Sequence, residues 1–544
     1  MRILVAQLNP TIGAMVQNTG KIIQVLERAR AQQIDIVLFS ELVLCGYPPE
    51  DFLLHPSFIA AQEAYLERVI QASKGLFVVL GTVRRNPNKR EKEIFNSAAI
   101  IQDGKLLGFH DKILLPTYDV FDERRYFEPG TTTQVWEFKG KKIAVLICED
   151  MWQHSGQVKY TEYGQDPVES LKNKHLDLVL NLSASPYHFQ KRDIRLKVCQ
   201  AVCETLKCPL IMCCQVGGND QLVFDGYSMV VDGQGRLRQL AKGFEEDDLV
   251  VDLNKSLEAC SFPEESLSDL YRALVLGVRD YMHKLDLKKG CLGLSGGIDS
   301  ALVACIAADA LGKENVLAVS MPSLYSSEGS VSDAQQLARN LGIELLSIPI
   351  ETTFNALLAT LEPHFIGLSP DVTEENMQAR IRGLILMALS NKWGHIVLST
   401  GNKSEMGLGY CTIYGDMVGG LSVISDVTKQ LVYSLSGWVN RRQEIIPQTI
   451  IDKPPSAELR PNQKDSDSLP DYAIVDRVVQ DYVEEFLSAE EIAEKCHLNV
   501  DVVKDLIHRI HVAEYKRRQG APCIRVSKRA FLAGRRFPIV QKWQ

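Results

Sequence analysis

The chain reads as two stretches of alternating strand and helix patterns, separated by a change of period near residue 260. Before it, short β-branched runs at 36–39, 76–81, 97–101, 142–147, 177–181 and 210–213 alternate with helical stretches such as 20–32, which predicts an α/β layered domain. Residues 233–235 (GQG) predict the turn of a hairpin, with 250–253 as its closing strand. From residue 264 the apolar spacing becomes 3.6, predicting a helix over 267–285. Strand and helix patterns then alternate through 316–321, 331–340, 344–349, 378–391 and 395–399, which is the order of a doubly wound sheet. Ligands of such sheets sit at the carboxyl ends of the strands.

A length of 544 residues requires at least two cores, and 45% hydrophobic with 24% charged residues is the composition of an ordinary soluble enzyme. The net charge of -8 argues against a general polyanion binder. No signal peptide is expected from MRILVAQLNP, and no run reaches about 18 apolar residues, so no membrane association is expected. Thirteen cysteines without framework spacing fit a reducing compartment, and the cytoplasm is the expected location.

Residues 293–300 read GLSGGIDS where an apolar strand meets an apolar helix. Gly296 and Gly297 let the backbone approach an anion, the helix start supplies N–H groups and a positive dipole end, and Ser295 and Ser300 add hydroxyls. This predicts a phosphate cradle. No lysine follows the glycines, so the Walker pattern is not met. SGGxDS instead resembles the loop of the ATP pyrophosphatases, which split ATP to AMP and pyrophosphate while activating a carboxyl or carbonyl oxygen. The resemblance implies that Asp299 helps to hold magnesium.

Three separated residues of the first half make chemical sense together. Glu41 follows the run at 36–39, Lys112 lies in GFHDKILLPTYDVFDERRYFEPG, and Cys148 ends the run VLI in VLICEDMW. A thiol nucleophile needs a base, a cation for the developing oxyanion and a rigid seat, and these residues supply them. The set and its flanking words resemble the nitrilase, or carbon-nitrogen hydrolase, superfamily. That resemblance implies an α-β-β-α layered domain in which Cys148 attacks an amide, Glu41 is base and acid, Lys112 stabilises the tetrahedral intermediate, and Glu149 and Asp150 support the pocket.

Ammonia connects an amidase to an ATP-splitting activator. The order of the two parts, with ENMQARIRG (375–383), LSTGNKSEMGLGYCTIYGD (398–416), DVTK (426–429), PPSAELRPNQKDSDSLPDY (454–472) and EYKRRQ (514–519), resembles the bacterial glutamine-dependent NAD synthetases over nearly the whole chain. The resemblance implies a glutaminase domain at 1–255, a linker at 256–268 and, at 269–544, a doubly wound, Rossmann-like domain of the adenine nucleotide alpha hydrolase type. It implies ammonia channelled from glutamine to adenylated deamido-NAD, with products NAD, AMP, pyrophosphate and glutamate. Glutamine would bind at Tyr118, Ser185 and Lys191, the last standing where some relatives carry arginine. ATP would bind at Gly293, Leu294, Ser295, Gly296, Gly297, Ile298, Asp299, Ser300, Thr400 and Lys429, and deamido-NAD at Asn376, Glu405 and Lys516. Magnesium (Mg2+) would be held by Asp299 and Glu405, and a homo-oligomer is implied.

Two segments need their own reading. The polar, proline-bearing stretch 450–472 lacks periodicity and is expected to be a lid that keeps water from the adenylate. Residues 488–510 have the rhythm of a helix-turn-helix followed by a basic tail, which a nucleic-acid binder would want. A helical hairpin capped by Ser488, with its basic residues turned toward dinucleotide phosphates or a neighbouring subunit, is the favoured expectation. The alternatives are another glutamine-dependent amidotransferase of the ATP pyrophosphatase type, an ATP-independent amidase with a degenerate second half, and a nucleic-acid-binding module.

Overall fold

The computed structural model describes residues 1–88, 91–157, 161–255, 258–263, 266–461 and 463–543. Its chain divides into two compact units, Met1–Ser266 and Leu267–Gln544. Of the linker expected at 256–268, residues 256, 257, 264 and 265 lie outside the described residues, as does residue 462 of the expected lid.

The first unit is a four-layer sandwich. One six-stranded sheet runs, in spatial order, Asp247–Asp252, Arg2–Gln7, Ile36–Phe39, Phe77–Arg85, Ile94–Gln102 and Lys105–Asp111; the other runs Leu237–Leu240, Met229–Val231, Leu210–Cys214, Leu178–Ser183, Lys141–Ile147 and Val135–Phe138. Strands with both faces buried read as near-continuous apolar runs, which is why VLI and LVLNL carry so few charges. Ile3, Val5, Leu38, Val79, Ile143, Val145, Leu180 and Ile211 form the core between the sheets. The outer faces are covered by the helices Met15–Ala31 and Pro56–Ala72 on one side and Lys191–Leu206 on the other. The expected α-β-β-α layering is therefore what the sequence builds.

One expectation is corrected. The hairpin Met229–Val231 with Leu237–Leu240 forms around the predicted turn, but the following strand, Asp247–Asp252, does not close it. It pairs antiparallel with Arg2–Gln7 in the other sheet, Val251 facing Ile3. Alternation of apolar residues gives a strand's faces and says nothing of its partner.

The second unit holds a five-stranded parallel sheet in the order Glu344–Ser347, Val316–Ser320, Lys289–Gly293, His395–Ser399, Leu421–Ser422. Strand order reverses between Lys289–Gly293 and His395–Ser399, which opens a crevice at their carboxyl ends. The loop 294–297 leaves Lys289–Gly293 at that end and enters the helix Ile298–Leu311. An unpredicted helix, Glu351–Leu361, follows the outer strand Glu344–Ser347.

The helix-turn-helix rhythm becomes Ala489–Cys496 and Val500–Val512, which pack with Tyr472–Val483 and Phe531 around one core. Ser488 caps the first of them in a reciprocal capping box with Glu491. The basic tail turns partly inward: Arg517 and Arg535 are buried and both donate to Glu514. Those cations are spent on a protein carboxylate, which removes them from the surface a nucleic acid would need.

Helix Lys191–Leu206 is tied to the first unit by a fully enclosed ion pair, Arg195 Nη2 donating to Asp225 Oδ1 at 2.7 Å, with a second donation to the Gly226 carbonyl at 3.2 Å. Removing one partner of a buried pair leaves the other charge uncompensated. Arg195→Leu is expected to cost about 3–5 kcal/mol, and adding Asp225→Leu to recover most of that loss. Urea midpoints of the two variants check this; equal destabilisation by the single and double variants would contradict it.

Candidate active sites

In the first unit, Glu41, Lys112 and Cys148 leave the carboxyl ends of strands and meet. Glu41 follows Ile36–Phe39, Lys112 follows Lys105–Asp111, and Cys148 follows Lys141–Ile147. Lys112 Nζ donates to Glu41 Oε1 at 2.7 Å. It donates equally, at 2.7 Å, to Glu123, a carboxylate that sequence reasoning passed over. Asn96 Nδ2 and the Ala184 N–H donate to the two oxygens of Glu41, at 2.8 and 3.0 Å. Tyr47 donates to Glu123 at 2.9 Å. All of these charged groups are buried.

Gly81 explains how the Glu41 turn comes so close to its neighbour strand. A Cβ added there would lie 2.3 Å from the Ser40 carbonyl oxygen, so only glycine admits the approach. Cys148 carries φ +40, a left-handed conformation that L-residues other than glycine rarely adopt. The turn is held by Asp150, whose carboxylate accepts from the Ile113 and Leu114 N–H groups at 3.0 and 2.9 Å and from Ile147 N–H at 3.0 Å. One side chain thereby fastens the Lys112 loop to the Cys148 turn.

Burial pushes the Cys148 thiol far up, Glu41 adds to this, and Lys112 opposes it. Burial alone would discharge Lys112, yet Glu123 and Glu41 outweigh it and hold the ammonium. Burial pushes Glu123 up to about 7 against the pull of Lys112. Glu149, raised by burial, accepts from Tyr118 Oη at 3.0 Å and Tyr163 Oη at 2.9 Å. Lys191 Nζ stands 4.2 Å from the centre of the Trp152 ring and acts electrostatically on Glu149. Ser185 is buried in the turn after Leu178–Ser183. A buried thiol with carboxylate, ammonium and fixed dipoles around it can form and resolve an acyl-enzyme.

In the second unit the loop 293–300 lines a cavity of about 310 Å³, together with Thr400, Glu405, Lys429, Arg382, Lys453 and Asp465. Gly296 has φ +81, and a Cβ there would sit 2.2 Å from the Ser330 carbonyl oxygen. Gly297 caps helix Ile298–Leu311 without a side-chain bond, leaving the first-turn N–H groups available to an anion. Ser295 Oγ accepts from Gly297 N–H and lies 3.2 Å from Ser300 Oγ.

Lys429 Nζ donates to Asp299 and, at 3.5 Å, to Glu405. Asn402, another residue the sequence did not single out, caps the helix Lys403–Leu408 and donates to Asp299 at 2.9 Å. Burial and the neighbouring Asp299 push Glu405 up to about 8. Burial opposes the Lys429 ammonium, but Asp299 and Glu405 outweigh it and raise it. The fourth charge is Asp465, which acts electrostatically on Glu405 and accepts from Tyr472 Oη at 2.8 Å.

Asn376 and Lys516 do not line this cavity. Asn376 Oδ1 accepts from Thr412 Oγ1 at 2.7 Å, and Lys516 donates to the carbonyls of Gly409 and Cys411, each at 2.8 Å. Among the described residues of 450–471 the expected lid is irregular apart from short turns of helix at Gln448–Asp452 and Asp465–Asp467, and its residues 453–459 line the same cavity as the loop: Lys453 donates to the Gly296 carbonyl at 3.4 Å and to Asp333 at 2.8 Å, and Glu458 accepts from Ser330 Oγ at 2.7 Å.

The carbon-nitrogen hydrolase family matches residues 2–260 and the NAD synthase family residues 270–520. The chain is 44% identical over 549 residues to the glutamine-dependent NAD(+) synthetase of Synechocystis sp., with 99% of this chain and 98% of the relative covered. The glutamine-dependent NAD+ synthetase from Acinetobacter baumannii, solved in complex with adenosine diphosphate, is similar at TM-score 0.78 and 38% identity over 100% of this chain and 99% of that one. A glutamine-dependent NAD(+) synthetase from Cytophaga hutchinsonii shares the fold at TM-score 0.85 and 22% identity, over 99% and 98% of the two chains. With two halves that match the two families in order, and a relative this similar from end to end, the chain belongs to the glutamine-dependent NAD(+) synthetases.

Proposed function

We propose that the chain amidates deamido-NAD to NAD, hydrolysing glutamine at Cys148 in a glutaminase domain, 1–255, and activating the nicotinate carboxylate with ATP at loop 293–300 of a synthetase domain, 269–544, with 256–268 as linker. The observation that carries the reading is the pairing on one chain of the buried Glu41–Lys112–Cys148 cluster and the phosphate cradle beside Lys429.

In the glutaminase step Cys148 Sγ attacks the amide carbon while Glu41 takes the thiol proton and Lys112 steadies the oxyanion. Collapse breaks the C–N bond, Glu41 returns the proton to the leaving nitrogen, and ammonia departs from a γ-glutamyl thioester. Water, deprotonated by Glu41, then releases glutamate. Tyr118, Ser185 and Lys191 bind glutamine in this reading, and the nearness of Tyr118 and Lys191 to Glu149 supports it.

In the synthetase step a nicotinate oxygen attacks the α-phosphorus of ATP and pyrophosphate leaves. Channelled ammonia then attacks the acyl carbon and AMP leaves. Gly293, Leu294, Ser295, Gly296, Gly297, Ile298, Asp299, Ser300, Thr400 and Lys429 hold ATP, and Lys429 balances charge on the departing pyrophosphate. Asp299 and Glu405 both approach the Lys429 ammonium, and carboxylate oxygens are the donors a hard divalent cation takes. Asp299 and Glu405 would hold magnesium, which neutralises phosphate charge when bound. Asn376, Glu405 and Lys516 are assigned to deamido-NAD, and residues 450–472 to water exclusion. We also take the chain to be a cytoplasmic homo-oligomer: no helix among the described residues is long and apolar enough to cross a membrane, all thirteen cysteines are free, and Leu384 and Val372 are exposed on the helix Val372–Trp393.

Cys148→Ala is expected to abolish NAD formation from glutamine and leave formation from ammonium within about twofold, checked by product assays with each nitrogen source; loss with both sources would refute the division of labour. Asp299→Ala is expected to lower synthesis by about a hundredfold or more with either source, and a variant that keeps its rate removes Asp299 from the reaction. Glu123 has a folded-state pKa of about 7 against 4.5 in the unfolded chain, so the folded state holds the extra proton between those values and stability falls as pH rises through that window. Glu123→Gln is expected to flatten this fall in urea midpoints compared from about pH 4.5 to about pH 7. Parallel profiles for parent and variant would contradict it.

A further inference from the structure

Asn402, Lys403 and Ser404, the cap and first two residues of the helix Lys403–Leu408, send their side chains to three different sets of partners. Asn402 donates to Asp299. Ser404 Oγ donates to Asp476 and accepts from the Lys429 N–H at 3.0 Å. Lys403, between them, points away from the cavity and is completely enclosed.

Its ammonium has four acceptors: Glu484 Oε1 at 2.7 Å, Ser527 Oγ at 2.6 Å, the Arg529 carbonyl at 3.0 Å and Asp426 Oδ1 at 3.1 Å. Asp426 lies three positions before Lys429 and accepts from the N–H groups of Val526 and Ser527 at 2.8 and 2.7 Å, and from Ser527 Oγ at 2.7 Å. Ser527 thus bridges the ammonium and the carboxylate. Ser527 and Arg529 lie beyond residue 520, where the match to the NAD synthase family ends.

We propose that Lys403 is a positioning residue for the ATP reaction, locking the C-terminal segment 523–529 to the two chain turns that present Glu405 and Lys429 to the phosphates. Glu405 is two residues after Lys403 on a six-residue helix, and Lys429 opens the helix Lys429–Val439 just after Asp426. A six-residue helix and the first residue of another take their orientation from what they are fastened to, and a reacting group displaced by about 1 Å can lose a hundredfold in rate. The cluster is the fastening. A lone ammonium would not stay buried here without both carboxylates, so the C-terminal segment and the site assemble together.

The proposal rests on the assignment of loop 293–300 to ATP, and the test separates the two. The full-length chain and the variants Ser527→Ala and Lys403→Met are titrated with ATP by calorimetry and assayed for ammonium-dependent synthesis. The ATP dissociation constant is expected to rise about threefold in Ser527→Ala and about tenfold in Lys403→Met, with kcat falling about tenfold or more in the latter. Loss of folded protein lowers the calorimetric stoichiometry and leaves the dissociation constant alone, so a merely structural role moves a different number. An unchanged dissociation constant in Ser527→Ala, at parental stoichiometry, overturns the proposal whether or not Lys403→Met folds. A parent chain that binds no ATP overturns the assignment of the loop, and the proposal with it.

Discussion

Lys112 sits sealed from solvent between Glu41 and Glu123, and the first unit is built so that this ammonium can stay charged there. A buried ammonium on its own costs several kcal/mol and would shed its proton. Two carboxylates at hydrogen-bond distance prevent that, but they leave a surplus negative charge that needs donors of its own. Tyr47, Asn96 and the Ala184 N–H supply them. Each donor comes from a different strand end or loop, so satisfying one ion fixes the relative placement of both sheets around Cys148. Asp150 repeats the device with backbone donors from a loop and a strand end.

The second unit uses the same element twice. Lys429 lies between Asp299 and Glu405, facing a cavity; Lys403 lies between Asp426 and Glu484, facing protein. The chemistry of the three clusters is alike, and access decides what each is for. An ammonium open to a cavity can exchange a carboxylate for a phosphate oxygen, whereas one enclosed on all sides can only hold its partners still.

How much was legible in the sequence follows from how far apart the interacting residues lie. GLSGGIDS carries its own structural context, since the strand before it, the positive-φ glycine and the helix after it are contiguous, and the fold repeats that order. Cys148 was legible because VLI announces a buried strand end. Glu123 was not, because it stands among Asp119, Asp122 and Glu128, and only the fold selects the one that turns inward. Lys403 reads as a helix-surface lysine until residues more than a hundred positions later are seen to enclose it. The strand Asp247–Asp252 was visible as a strand, while its partner, at the other end of the unit, left no local trace. The basic tail misleads in the opposite sense, since composition counts Arg517 and Arg535 as surface charge and Glu514 takes both.

Charge imbalance gives the two sites a common logic. Glu41, Glu123 and Glu149 surround one lysine in the first unit, and Asp299, Glu405 and Asp465 surround one in the second. Neither set is neutral when every carboxylate is ionised, and burial therefore drives Glu123 and Glu405 toward their protonated forms. A cation entering either site reverses that drive: it restores the carboxylate and lowers the cost of the enclosed charges.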